Sequence, residues 1–132
     1  MRPPEFRALL GLAFPETDSD ALAGQSVVIC SGKPGNAVVA VSDAFEQHTG
    51  FSRGETIGRN LDMLQGRDTA PEAVDMFRFL MRTGGAGKIR ILNYRKDGTP
   101  FWHVCDLRPI RDEAGQITHF LTVQHPVDYP LP

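Results

Sequence analysis

Three β-rich runs separated by two short turns fill residues 88 to 124, and this pattern constrains the fold more than any other feature of the chain. The runs cover residues 88–94, 101–110 and 117–124. Both turns contain the Asp and Gly residues that favour chain reversal. Because connections this short join only antiparallel strands, the C-terminal half is predicted to be a three-stranded antiparallel sheet.

The N-terminal half adds a predicted hairpin and several short helices. Residues 26–30 and 37–41 are β-rich and are separated by a turn of Gly, Pro and Asn, so they are predicted to pair. Pro71 and Gly84 bound the longest predicted helix. Hydroxyl side chains that favour the start of a helix occur at Ser42, Ser52 and Thr69. The whole pattern predicts an α+β fold, a five-stranded antiparallel sheet with short helices on one face.

The two ends of the chain differ from this central part. Residues 1–25 hold an apolar patch of Phe and Leu followed by a turn-rich stretch, which predicts a peripheral helix and a linker. Residues 26–125 are predicted to form the folded domain and residues 126–132 a short tail. A chain of 132 residues has room for one domain with its own core.

Composition argues against several classes of partner. The net charge is -2 and no run of like charges occurs, whereas nucleic acid binding relies on clustered Lys and Arg. No apolar stretch approaches the roughly 20 residues of a membrane span, and the start of the chain lacks the apolar run of a signal peptide. We therefore expect no membrane partner and a cytoplasmic location. The two cysteines, Cys30 and Cys105, lack the spacing of a zinc site.

Side chains alternate across a strand, so strand parity predicts which residues share a face. Three polar residues, Asn93, His103 and Gln124, fall on one face among apolar neighbours. An unpaired buried amide costs about 1 to 3 kcal/mol, so this grouping predicts either a polar network closed on itself or a bound polar ligand. The strands alone leave both explanations open. The other residues of this face are Ile89, Ile91, Phe101, Cys105, Leu107, Phe120 and Thr122.

The opposite face of the same strands is apolar and would be exposed on a bare sheet. Such a surface predicts a covering helix or a partner chain. Phe6, Leu9 and Leu10 of the N-terminal segment are available to cover it. A homodimer formed through this face and the N-terminal helix is the resulting hypothesis. The residues of the face are Leu92, Tyr94, Trp102, Val104, Leu121 and Val123.

Residues 58–66 carry the motif Gly-Arg-Asn-Leu-Asp-Met-Leu-Gln-Gly. Together with segments 91–98 and 100–102, this motif resembles the flavin-binding signature of the light-oxygen-voltage (LOV) subgroup of PAS domains, and the resemblance covers nearly the whole predicted domain. It implies the PAS fold and a pocket for FMN. In LOV domains the fourth residue of the motif is a cysteine whose sulfur attacks the photoexcited flavin. Leu61 occupies that position here and has no nucleophilic atom, so it cannot form the adduct.

The resemblance also implies which residues hold the flavin. Gln65, Arg78, Asn93 and Gln124 match the motif glutamine, a helix arginine, a strand asparagine and the last-strand glutamine of LOV domains. Amides suit the pyrimidine edge of a flavin, and a guanidinium suits its phosphate. The complete predicted set of cofactor-binding residues is Asn60, Leu61, Gln65, Arg78, Arg82, Asn93, His103, Cys105, Leu107, Phe120 and Gln124.

Several positions depart from the family pattern. Asp62 replaces an arginine that meets the phosphate, which weakens the preference for FMN over riboflavin unless Arg82 compensates. His103 replaces a second asparagine, and it is interpreted either as a ligand contact or as a core histidine bonded to a backbone carbonyl. Cys105 is interpreted as a small buried residue. Thr122 replaces a glycine that gives the flavin ring room.

The function predicted from the sequence is a PAS/LOV-like sensory module that binds FMN or riboflavin and forms no cysteinyl adduct. It would signal through a dimer or an unidentified downstream protein. The alternative is a ligand-free PAS domain that acts as a dimerisation or interaction scaffold. No enzyme activity is predicted, because His103, Cys105 and Asp106 are the nearest approach to a hydrolase site and residues 105 and 106 point to opposite faces of their strand.

Overall fold

Five strands form one antiparallel sheet in the computed structural model, which describes residues 1–127 and Pro130. The spatial order of the strands is β2-β1-β5-β4-β3, so β5 is the middle strand. The predicted five-stranded antiparallel sheet and its hairpins are therefore confirmed. The strands are β1 Ser26–Ser31, β2 Val38–Val41, β3 Gly87–Tyr94, β4 Pro100–Arg111 and β5 Ile117–Val127.

Helices pack on both faces of this sheet. The inner face carries Phe120, Thr122 and Gln124 of β5, and the helical elements of the central part pack against it. The two N-terminal helices pack against the outer face, which carries Leu121 and Val123. No helix within the described part of the chain is long and apolar enough to cross a membrane. The helical elements are α1 Pro3–Ala13, α2 Ser19–Ala23, α3 Asp43–Thr49, α4 Arg53–Thr56, a 3-10 turn Leu61–Leu64 and α5 Pro71–Thr83.

The last strand is longer than the sequence predicted. β5 continues past Gln124, and Val127 pairs with Trp102 of β4. Two residues of the predicted tail therefore belong to the sheet, because the long strand β4 offers them backbone partners. Residues 128, 129, 131 and 132 of that tail lie outside the described residues.

One of the three predicted helix caps forms as expected. Ser52 and Glu55 make a reciprocal capping box at the start of α4. The predictions for Ser42 and Thr69 are wrong, since neither side chain caps the helix that follows it. Ser42 instead donates to the Gln25 carbonyl at 2.7 Å. Thr69 donates to the Leu92 carbonyl at 2.7 Å, so both hydroxyls fasten a loop to the sheet.

The N-terminal helix covers much of the outer face within the same chain. Leu10 of α1 is fully buried in one cluster with Leu121 and Val123. Arg108 of β4 holds the end of α1, because its guanidinium donates to the Ala13 carbonyl at 3.1 Å. Of the two covers predicted for the outer face, a helix or a partner chain, the structure thus shows the helix over this part of the sheet, and the homodimer stays a prediction. The half-buried Val104 belongs to what is left of that surface.

Candidate ligand-binding cavity

A cavity of about 540 Å³ lies between the inner face of the sheet and the segment from the 3-10 turn to α5. This volume falls within the roughly 300 to 1,000 Å³ of pockets that bind small molecules. Strands β1, β3, β4 and β5 form the floor. The cavity is therefore large enough for a cofactor-sized ligand and lies over the middle of the sheet.

The strand register explains which side chains reach the floor. Cys105 of β4 is opposite Gln124 of β5, and in the next row Leu107 is opposite Thr122. Because side chains alternate, all four point to the inner face, and all four line the cavity. Cys30 of β1 completes the floor at the far side.

The roof is shaped by local hydrogen bonds of the motif segment. The Asn60 side chain accepts from the Asp62 amide at 2.9 Å and donates to the Gly35 carbonyl at 2.8 Å. These two bonds cap the 3-10 turn and fasten it to the loop between β1 and β2. Leu61 follows directly and lines the cavity, half-buried. The Asn60 amide thus has a structural role within the protein as well as a place on the cavity wall.

The amphipathic helix α5 closes the second side of the roof. Val74, Phe77 and Met81 recur at helical spacing and present an apolar face to the cavity. Arg78 and Arg82 lie one turn apart, line the same cavity and are exposed. The helix therefore supplies apolar packing inside the cavity and positive charge at its mouth.

Ten of the eleven residues predicted to bind the cofactor line this cavity, and His103 does not. The ten lining residues are Asn60, Leu61, Gln65, Arg78, Arg82, Asn93, Cys105, Leu107, Phe120 and Gln124. The structure thus gives no support for the interpretation of His103 as a ligand contact. His103 is fully buried beside Phe101, with ring centroids 4.4 Å apart. This burial fits the other interpretation, a core histidine, but the partner of the ring is a side chain rather than the expected backbone carbonyl.

That partner is Asn93, whose Oδ1 lies 2.9 Å from Nδ1 of His103. An amide oxygen can only accept a hydrogen bond, so Nδ1 carries the proton of the neutral imidazole. The Asn93 amide nitrogen makes a long bond of 3.4 Å to the Leu92 carbonyl. His103 therefore fixes the orientation of Asn93, and the NH2 group of Asn93 is the end with hydrogen-bonding capacity to spare.

Burial keeps His103 neutral. Loss of hydration, and to a smaller extent the positive charges of His48, Arg95 and His125, together lower the pKa of its imidazole to about 3. Nε2 of His103 has no hydrogen-bond partner within the described part of the chain. A neutral ring is thus compatible with this site, and a protonated ring is not.

The polar side chains in the middle of the floor have long or missing hydrogen bonds within the described part of the chain. The Gln124 Oε1 accepts a long hydrogen bond, 3.5 Å from the Ser26 hydroxyl. Thr122 Oγ1 is buried and has no partner among the described residues. Gln124 also lies against Cys105, and its hydrogen bond partly offsets the effect of burial on that thiol. The polar network predicted as an alternative to a ligand is therefore incomplete.

Two thiols face the cavity although the motif cysteine is replaced by Leu61. Burial raises the pKa of both Cys30 and Cys105 to about 12. Both side chains are almost fully buried, so at neutral pH they are protonated and weakly nucleophilic. Cys105 was singled out from the sequence, whereas Cys30 was not.

The mouth of the cavity carries mixed charge. Lys33, Arg78 and Arg82 are cations and Asp62 is an anion, and all four are exposed lining residues. No ion pair joins Asp62 to any of the three cations in the described part of the chain. The balance at the mouth is therefore positive, which suits an anionic group on a ligand.

Sequence reasoning missed part of the wall. Cys30 could have been found, because parity on β1 places it on the same face as its partner Phe120 in β5. Lys33, Pro34 and Asn36 gave no comparable signal. They reach the cavity because the loop between β1 and β2 folds over its rim, held by the bond from Asn60 to Gly35.

Comparison with known proteins adds independent findings. A family model described as a PAS domain matches residues 24–125. Phototropin-1A of Oryza sativa subsp. japonica is 39% identical over 98 residues, which are 74% of this chain and 11% of that protein. Blue-light-activated histidine kinase 1 of Erythrobacter litoralis is 42% identical over 88 residues, 67% of this chain and 24% of that protein. The chain thus corresponds to a small part of either relative.

A solved structure gives the same result in three dimensions. It comes from work on a flavin analogue and the mechanism of the light-oxygen-voltage domain. The two chains superpose with a TM-score of 0.79 and are 37% identical, and the match covers 83% of this chain and 84% of that one. The likeness therefore extends over nearly the whole of both chains, in sequence as well as in fold.

Proposed function

Because the chain belongs to the PAS family and to its light-oxygen-voltage subgroup, we propose that the cavity binds a flavin, FMN or riboflavin, and that the chain is a sensory module without a cysteinyl adduct at residue 61. The observation that carries the proposal is the grouping on one cavity wall of the amides of Asn93 and Gln124 with a positively charged mouth. A flavin, when bound, supplies blue-light absorption and redox chemistry.

The residues present fit a flavin in three respects. The apolar walls from β4, β5 and α5 suit a flat aromatic ring. The NH2 group of Asn93 and the loosely bonded amide of Gln124 suit a heteroaromatic edge that both donates and accepts. Arg78 and Arg82 suit a phosphate at the mouth. Two residues count against a tight fit, namely Asp62 at the mouth and Thr122 on the floor.

The mouth determines which flavin is favoured. Each exposed cation within about 4 Å of a phosphate charge would contribute about 1 kcal/mol of attraction, and Asp62 would contribute a similar repulsion. With three cations and one anion on the wall, we infer that FMN is preferred over riboflavin, by a smaller margin than in a relative with arginine at position 62.

Leu61 sets the chemistry that this chain itself can offer. Its side chain excludes water from the wall where the family has a thiol, and it has no atom that can form or break a covalent bond to the ring. Cys30 and Cys105 are held as neutral thiols. The output we propose is therefore a change in association with another protein, transmitted from the cavity walls, in a cytoplasmic chain that is not itself an enzyme. The kinase named in one relative belongs to that much longer protein.

The 132-residue chain tests flavin binding directly. We expect the purified protein to be yellow, or the apo protein to quench FMN fluorescence on titration with a saturable isotherm. Riboflavin is expected to bind more weakly, because it lacks the phosphate that meets Arg78. A colourless protein that binds neither flavin after refolding in their presence would contradict the proposal.

A protein that binds neither flavin would favour the alternative, a ligand-free PAS domain that acts as a scaffold. The observation in its favour is the pair of departures at Asp62 and Thr122, which add a negative charge and bulk to the cavity. In that case protein side chains would have to fill the cavity and form hydrogen bonds to the amides of Asn93 and Gln124. Hydrogen exchange of the floor strands with and without added FMN separates the two functions, since only the flavin-binding chain gains protection.

Illumination tests the absence of an adduct. Under blue light the flavin-loaded wild type is expected to keep its main absorption band in the absence of a reductant. Leu61→Cys is expected to bleach that band reversibly, while the matched variant Leu61→Ser, which has no thiol, is not. Reversible bleaching in the wild type would show that Cys30 or Cys105 acts instead, and Cys30→Ala and Cys105→Ala would then identify which.

A further inference from the structure

We propose that the hydroxyl of Thr122 is a ligand-contacting group that sets specificity on the floor of the cavity. Thr122 lines the cavity and is 1% exposed. Its Oγ1 is one of three buried side-chain N or O atoms that lack a hydrogen-bond partner in the described part of the chain. Of these, it belongs to the one residue on the cavity wall.

The register explains why the protein does not satisfy this hydroxyl. On the middle strand, Thr122 lies between Val28 of β1 and Leu107 of β4. Both neighbours are buried and apolar, and Phe120 is the next residue on the same face. The backbone groups around it are engaged in the two strand ladders. The direction that is left for a hydrogen bond is the cavity itself.

A buried hydroxyl without a partner is expensive, at about 1 to 3 kcal/mol. Valine has the same shape, favours a β-strand equally well and would avoid this penalty. The presence of threonine at a position that packs like a valine therefore points to a partner supplied from the cavity. The cavity extends over both Thr122 and Gln124, so a ligand bound there can supply this partner.

The location defines what the ligand must offer. Thr122 and Gln124 are successive residues on one face of β5, so their side chains are about 6 to 7 Å apart. A ligand held by both must carry a polar atom within about 3 Å of Oγ1, well inside the cavity and away from the charged mouth. This inference rests on the proposed function where the ligand is a flavin, and it then assigns a ring heteroatom or carbonyl to the hydroxyl.

Three variants test the role of this hydroxyl in the full-length chain. Thr122→Val removes only the hydroxyl, Thr122→Ser keeps it, and Thr122→Gly removes all bulk. For Thr122→Val we expect about tenfold weaker binding of both FMN and riboflavin, which is about 1.4 kcal/mol, together with a shift of the flavin absorption band. Thr122→Ser is expected to bind within about threefold of wild type and to keep the band position.

The stability of the ligand-free protein gives a second readout, and Thr122→Val is expected to raise it while lowering flavin affinity. Without ligand, Thr122→Val is expected to unfold at higher urea concentration than wild type, because a buried unsatisfied group is gone. A merely structural threonine would weaken the apo protein when changed to valine. The combination of a more stable apo protein and weaker flavin binding is specific to a ligand-contacting hydroxyl.

The possible failures are distinguishable. Unchanged affinities for Thr122→Val would overturn the inference, and tighter binding by Thr122→Gly alongside that result would show that residue 122 acts only by its bulk. If the wild type binds no flavin, the proposed function fails, and the urea comparison alone decides the inference. A gain in apo stability for Thr122→Val then supports an unsatisfied hydroxyl awaiting another polar ligand, and no gain overturns it.

Discussion

The two faces of the sheet differ in polarity and in how completely their buried polar groups are hydrogen-bonded. On the outer face, α1 buries Leu10 against Leu121 and Val123, and the cluster is apolar throughout. On the inner face, buried polar groups lie on or next to a cavity wall, and some of their bonds are long or missing, as at Gln124 and Thr122. The outer face thus contributes stability, whereas the inner face keeps hydrogen-bonding capacity that a ligand can use.

The largest effect is expected on the outer face. Leu10→Ala removes a fully buried side chain between α1 and the sheet, so it should lower the free energy of unfolding by about 2 to 5 kcal/mol. Leu12→Ala on the same helix is the matched control, because Leu12 is 64% exposed and its truncation should change stability by less than about 0.5 kcal/mol. Urea unfolding of both variants gives the measurement. Equal effects would mean that α1 does not pack as described.

The next largest effect is a loss of folding stability at acidic pH that arises from His103. The pKa of His103 is lowered to about 3 in the folded chain, while an unfolded histidine has a pKa near 6.5. Between these values the unfolded chain binds the extra proton and the folded chain does not, so stability falls as the pH drops from 6.5. The limiting slope from this residue is about 1.4 kcal/mol per pH unit.

His103→Asn should remove that part of the acid sensitivity. The amide is uncharged at all pH values and can still bond to Asn93. His125→Asn is the control, because His125 is an exposed histidine of the same chain. Stability is measured by urea unfolding between pH 7 and pH 4.5. A slope that is the same in wild type and His103→Asn would show that this histidine takes up its proton while folded.

A smaller effect is expected at the cavity mouth. Asp62→Arg removes a repulsion of about 1 kcal/mol and adds an attraction of about 1 kcal/mol for a phosphate at exposed sites, and this total of about 2 kcal/mol corresponds to about thirtyfold tighter FMN binding. Riboflavin, which lacks the phosphate, should change little, and Asp62→Asn should give an intermediate result. Titrations at low and high salt provide the check, since the gain must shrink with salt. Equal gains for both flavins would place the effect of residue 62 in folding.

The smallest effect on folding stability is expected for a substitution at Val104, which also tests the homodimer hypothesis directly. Val104 is half-buried on the outer face, so Val104→Glu should cost little stability in the monomer. If copies of the chain associate through the outer face, this charge should shift them to monomers at micromolar concentration in sedimentation experiments. A wild type that already sediments as a monomer at those concentrations would remove the hypothesis, in agreement with the cover that α1 provides.

The sequence by itself determined the elements and the faces of this protein. Strand runs, turn residues and the motif at 58–66 depend on short-range preferences and on alternation, which are local properties. They were enough to predict the five-stranded sheet and its inner face with Asn93, Cys105, Leu107, Phe120 and Gln124. The resemblance to LOV domains added Asn60, Leu61, Gln65, Arg78 and Arg82, which line the same cavity. They were also enough to show that Leu61 cannot supply the thiol of the family.

Only the tertiary structure decided which partner each polar group takes. Ser42 is the N-cap residue of α3 and Thr69 precedes the N-cap residue of α5, yet their hydroxyls donate to the distant carbonyls of Gln25 and Leu92 instead of capping these helices. His103 has the parity of a wall residue, but it does not line the cavity and its Nδ1 bonds to Asn93. Residues far apart in sequence compete for each donor and acceptor, and local patterns hold no information about that competition. The hydroxyl of Thr122 has no partner among the described residues for the same reason, because the residues opposite it on the two flanking strands, Val28 and Leu107, are apolar.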